Sequence, residues 1–112
     1  MKMEFKIKTN NIDQIKAASE QAVRIGLEMC GLQAEGYAID ICPVGATGRL
    51  RGSITHGVIQ EELTAFIGTN VKYAAYVEFG TSRMKPQPYL KPAVNNHQQE
   101  YKDIFQYCLE NA

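Results

Sequence analysis

The side chains able to carry out catalysis are few and scattered. His56 and His97 could each serve as a base or a metal ligand, and Cys30, Cys42 and Cys108 could each supply a thiol. Either chemistry needs such groups clustered with one another or with a carboxylate, and no His/Cys/carboxylate cluster surrounds either histidine in the sequence. Both histidines are therefore read as structural. The three cysteines are far apart and include no CxxC pair, which suits neither a disulfide framework nor a zinc site. Cys30 and Cys108 fall on or near predicted helix core faces, where thiols are inert packing groups, so Cys42 is the one candidate for a reactive thiol. Glu61 and Glu62 are adjacent in a predicted hairpin turn, point apart and stay solvated, which denies them the burial that raises a catalytic carboxyl. The stretch from Pro43 to Gly48 has a superficial likeness to a phosphate-binding glycine loop. No Lys-Ser/Thr pair follows it, and it leads into a predicted strand, whereas a phosphate loop opens a helix. The expectation is a protein with no catalytic residue, metal or cofactor.

Charge is more informative. Twelve basic and twelve acidic residues leave no net charge, which removes the overall positive field that non-specific nucleic-acid binding relies on. Yet Arg49, Arg51, Arg83, Lys85 and Lys91 concentrate five cations in two segments rich in glycine and proline. Such local concentration favours an acidic partner surface or nearby nucleic acid. Glu78, set between Val77 and Phe79 and close to Arg83 in sequence, is expected to be partly buried and paired with an opposite charge. No apolar run approaches the roughly 20 residues that cross a bilayer, and the first residues lack a charged-then-apolar signal pattern. Synthesis in the cytoplasm without a membrane partner is expected.

The elements that must position these groups follow from periodicity. Met3, Phe5 and Ile7 alternate with polar residues, predicting a strand over residues 2–8. Asn10, followed by Asp13, has the pattern of a helix N-cap with an acidic first turn, so a helix is expected from about Asn11 to about Asp40, ended by Pro43. Its apolar face is read as Ile15, Ala18, Ala22, Ile25, Met29, Leu32 and Ile39, at steps of three and four with Gly36 in the remaining slot. Gly26, Gly31 and Gly36 each cost on the order of 1 kcal/mol in a helix, so a close-packed neighbour or a bend must compensate at some of them. Mobile loops are expected at about 42–52 and 81–92. Between them lie a hairpin, whose strands contain Ile54, His56 and Val58 and then Thr64 to Thr69, and one or two helical turns at Tyr73 to Phe79 closed by Gly80. Val94, His97, Tyr101, Ile104 and Cys108 mark a final amphipathic helix that Pro92 can open. This order predicts one α+β domain over residues 1–112, with a long N-terminal helix and a C-terminal helix packed on an antiparallel sheet that contains a central hairpin.

Three blocks together resemble one family. They are Pro43-Val-Gly-Ala-Thr-Gly-Arg-Leu-Arg-Gly-Ser-Ile54, then Tyr73-Ala-Ala-Tyr-Val-Glu-Phe-Gly-Thr81, then Pro86-Gln-Pro88-Tyr-Leu90 with Pro92-Ala93. In order and spacing they are similar to the HK-ninety-seven gene-product-ten-like family of siphophage neck proteins. The resemblance implies a structural, non-enzymatic component of a phage or prophage particle that completes the tail or joins it to the head. It also implies assembly as a ring, commonly six-fold, with neck, connector and tail-tube proteins as partners and the virion neck as final location. Loop placement and residue type then select Arg49, Leu50, Arg51, Tyr73, Tyr76, Glu78, Phe79, Arg83 and Lys85 as the partner interface, with arginines for charge-assisted contacts and aromatics as anchors. A nucleic-acid-contacting module using the same basic loops is the alternative.

Overall fold

The computed structural model describes residues 1–7, 12–43 and 48–111. Strand β1 (Lys2–Lys6) is followed by a short helix α1 (Ile12–Ala17), the long helix α2 (Glu20–Ile41) and a single turn, α3 (Arg49–Gly52). Strands β2 (Thr55–Ile59) and β3 (Thr64–Gly68) come next, then α4 (Ala74–Phe79), α5 (Leu90–Asn95) and α6 (Gln98–Glu110). The antiparallel sheet has the order β1-β3-β2, so β3 is central and both of its neighbours pair with it along its full length. Its α+β architecture is the one expected, with the central hairpin formed by β2 and β3.

Register explains which sheet face is covered. Met3 pairs with Ile67 and Phe5 with Ala65 on one side of β3, while His56 pairs with Ile67 and Val58 with Ala65 on the other. Side chains alternate along a strand, so these residues share the face that α2 and α6 cover. Ala65 and Ile67 are fully buried there, and the Phe5 ring lies 4.8 Å from that of Tyr101 on α6.

The long helix departs from its predicted form in two ways. The chain breaks at Ser19, whose hydroxyl accepts the Ala22 N–H at 3.1 Å and caps a new helix, so α1 and α2 are separate. The Asn10 cap and the start at Asn11 lie outside the described residues. The buried face also differs in part: Ala22 is buried as expected, but Val23, Leu27, Cys30, Ala34 and Ala38 enter the core beside it, whereas Ile25, Met29 and Leu32 are 48%, 46% and 50% exposed. Small residues win the inner face because α2 is squeezed between the sheet and α6. A Cβ added at Gly26 would sit 2.6 Å from the Phe105 ring, and one at Gly31 would sit 3.0 Å from the His56 ring. Close neighbours thus offset two of the three helix glycines, while Gly36 faces open space.

The C-terminal helix is likewise split, at Asn96 and His97, into α5 and α6. Tyr101, Phe105 and Leu109 form the buried stripe of α6, while Ile104 and Cys108 sit at its margin. Both predicted loops are shorter than expected, because Arg49–Gly52 and Leu90–Asn95 are helical. The glycine-rich stretch therefore leads into a helical turn and then a strand, not directly into the strand. Residues 44–47 lie outside the described residues.

Candidate partner-binding surface around α4

Helix α4 presents two chemically opposite faces. Ala74 and Glu78 point inward, four residues apart, and are buried. Tyr73, Tyr76 and Phe79 recur at steps of three along the outer face and are 40%, 60% and 63% exposed. Met84 in the next segment is exposed as well. Large aromatics so placed make this face a candidate for association, since such rings carry much of the energy when they are buried against a partner.

Glu78 holds this arrangement together. Its Oε1 accepts the backbone N–H groups of Tyr89 at 3.0 Å and Leu90 at 2.8 Å, and its Oε2 accepts that of Lys91 at 3.2 Å. Those groups are first-turn donors of α5, which have no partners within that helix, and the flanking Tyr89 side chain gives no cap. A carboxylate is the best available acceptor, because the helix N-terminus carries partial positive charge. The Tyr89 hydroxyl returns the link by donating to the Ala74 carbonyl at 3.2 Å. The expected ion pair with Arg83 is not what stabilises Glu78: among the described residues no ion pair reaches this carboxylate, and Arg83 is exposed. Backbone amides are fixed by the fold, whereas an arginine on an exposed loop would lose side-chain entropy to reach inward.

Between these ends, residues 81–88 make a tight, outward excursion. Gly80 takes a left-handed φ of 75°, and a Cβ there would lie 2.7 Å from the Pro86 nitrogen and 2.8 Å from the Met84 carbonyl oxygen, so glycine is required. Thr81 and Met84 then exchange backbone hydrogen bonds, at 2.9 Å from the Thr81 N–H and 3.3 Å from the Met84 N–H. The Gln87 N–H donates to the Val77 carbonyl at 2.8 Å. Arg83 and Lys85 are exposed on this excursion.

The other predicted interface residues fall into two groups. Arg49 is exposed and Arg51 half-buried on α3, but Leu50 is buried in the core, where its aliphatic side chain belongs. Leu50 and Glu78 therefore offer no free surface, and the interface reading is corrected at both. Burial pushes the Cys42 thiol above its ordinary range; the nearby Arg51 guanidinium opposes this and the Glu78 carboxylate adds to it. Arg51 of α3 and Glu78 of α4 thus both lie near the C-terminal end of α2.

The groups first considered for chemistry are placed elsewhere. His56 lies between two carboxylates of α2, with Nδ1 3.3 Å from Glu35 and Nε2 3.5 Å from Glu28. His97 stacks on Tyr37 with ring centroids 3.6 Å apart, and Glu100 lies 3.6 Å from its Nδ1 and accepts the Tyr37 hydroxyl. Cys30 is fully buried, its Sγ–H donating to the Tyr101 carbonyl at 3.2 Å, and burial raises its thiol to about 12. Cys42 is only 4% exposed and Cys108 is also raised by burial, so none of the three is a ready thiolate at neutral pH. Glu61 and Glu62 stand exposed in the β2–β3 turn. The sequence reading missed the capping role of Glu78, because its partners lie eleven to thirteen residues away and are backbone groups.

The family model for HK97-gp10-like bacteriophage tail components matches residues 7–80. The chain belongs to the HK97-gp10-like family, whose members are described as phage tail components. That span includes the first sequence block, the second up to Gly80 and all of α4; the proline block that supplies the partners of Glu78 follows it. No curated protein and no solved structure gives a significant match. Among the described residues, no helix is long and apolar enough to cross a membrane.

Proposed function

We propose that the chain is a non-enzymatic structural part of the virion neck, completing the tail and joining it to the head by assembling as a ring with other neck, connector and tail-tube proteins. The observation that carries this reading is the exposed aromatic face of α4, with Tyr76 and Phe79 each at least 60% exposed beside a cationic excursion. Such a surface is costly to leave in water and is best explained by a protein partner. Arg49, Arg51, Arg83 and Lys85 supply charge-assisted contacts around it. Deletion of the gene tests the reading: electron microscopy should show separate filled heads and finished tails, joined when the purified protein is added back. Intact, infectious particles without the protein would overturn it. A nucleic-acid role would instead appear as binding to duplex DNA that weakens steeply with salt.

A further inference from the structure

The outer face of the α2–α6 layer carries a second, different surface. Met29 of α2 and Ile104, Tyr107 and Cys108 of α6 line a shallow groove of about 430 Å³, with Glu100 and Asp103 at its rim. Ile25 and Leu32, one turn to either side of Met29, extend this apolar strip and are about half exposed. The charge of the chain is divided in the same way. Helices α2 and α6 hold seven carboxylates against two cations, a net of five negative charges; because the whole chain balances, the remainder carries five positive ones.

We propose that copies of this chain join head to tail, the cationic, aromatic surface of α4 and residues 81–88 of one copy seating on the acid-rimmed groove of the next. The inference rests on the ring reading above and names its two faces. What the groove lacks is an apolar occupant with cations beside it, and Tyr76, Phe79 and Met84 next to Arg83 and Lys85 have that composition. Groove-on-groove pairing would instead set Glu100 and Asp103 of one copy against those of the other, a like-charge arrangement. Nor do the two surfaces form one continuous patch. Helices α2 and α6 run antiparallel, with Gly26 against Phe105 and Tyr37 against His97. The groove therefore lies along the first half of α2, and α4 sits beyond its C-terminal end. Cys42, the C-cap of α2, is thirteen residue steps beyond Met29, or about 20 Å at ~1.5 Å per residue. A contact between two different patches is heterologous: it adds copies in series and closes into a ring when the rotation permits.

Cross-linking tests this pairing in the purified full-length chain. Cys108 lies in the groove while Cys30 and Cys42 are buried, so the unaltered protein can give no more than a dimer on mild oxidation. A Met84→Cys chain at millimolar concentration should give a ladder of trimers and larger species, lost in Met84→Cys/Cys108→Ser. Adding Arg83→Glu/Lys85→Glu to the Met84→Cys chain should lower the yield at least tenfold, and mixing that chain with a Glu100→Lys/Asp103→Lys partner that also carries Met84→Cys should restore it. Monomers throughout, a ladder that survives loss of Cys108, or a yield indifferent to charge reversal would each overturn the pairing. Head-tail joining in the deletion and add-back experiment fails or succeeds independently of this ladder, so the two readings fall separately.

Discussion

The seam between α2 and α6 and the corner between α4 and α5 join helices by opposite means. At the seam, side-chain volume is removed: Gly26 lets the Phe105 ring approach, and Cys30 is small enough for its thiol to reach the Tyr101 carbonyl. At the corner, one long polar side chain is inserted: Glu78 gathers three backbone N–H groups that no other group caps. The seam depends on shape and tolerates no added atoms, while the corner depends on a charge and tolerates no lost one. The first builds the body of the molecule and the second holds up its exposed aromatic surface.

Substitutions should separate the two. Leu27→Ala empties part of the fully buried core that α2 contributes and is expected to cost about 2–5 kcal/mol in urea unfolding, from lost transfer energy plus the cavity. Glu78→Ala orphans the donors of α5 and should cost about 2–3 kcal/mol, with Glu78→Gln recovering part of that. Its amide-exchange signature should be confined to Tyr89, Leu90 and Lys91, whereas that of Leu27→Ala should spread through α2, α6 and the sheet. Gly26→Val overpacks the seam against Phe105 and should cost about 1–3 kcal/mol. At Gly36, where nothing lies within 4 Å of an added Cβ, Gly36→Ala should instead stabilise by about 1 kcal/mol. If both glycine substitutions behave alike, the close-packing account of the seam is wrong.

Alkaline titration sharpens the same contrast. The Cys30 thiol titrates near 9 when exposed and is pushed up to about 12 by burial in the fold. Between those values the unfolded chain has released a proton that the folded chain retains, so stability is fully present below pH 9 and falls as pH rises toward 12. The expected slope is at most about 1.4 kcal/mol per pH unit, seen as a falling Tm, and Cys30→Ala should flatten it.

The legibility of each region in the sequence follows its physics. Strand alternation at Phe5, Ala65 and Ile67 was readable because a half-buried sheet repeats every two residues. The face of α2 was misassigned at Ile25, Met29 and Leu32, though not at Ala22, because hydropathy favours large apolar residues, whereas a helix pressed on two sides selects for small side chains at its closest contacts. The Ser19 cap had a local signal, a serine directly before a glutamate, that the longer apolar pattern obscured. At α4 the exposed residues Tyr73, Tyr76 and Phe79 were legible by type. Glu78 was misread as part of an ion pair, since no sequence pattern places the amides of Tyr89, Leu90 and Lys91 beside it.

Because Glu78 ties α4 directly to the first turn of α5, the excursion from Thr81 to Pro88 is closed at its base by bonds that involve none of its own side chains. It behaves as an interchangeable cassette. Side chains at its tip can be exchanged while the frame that presents them stays in place.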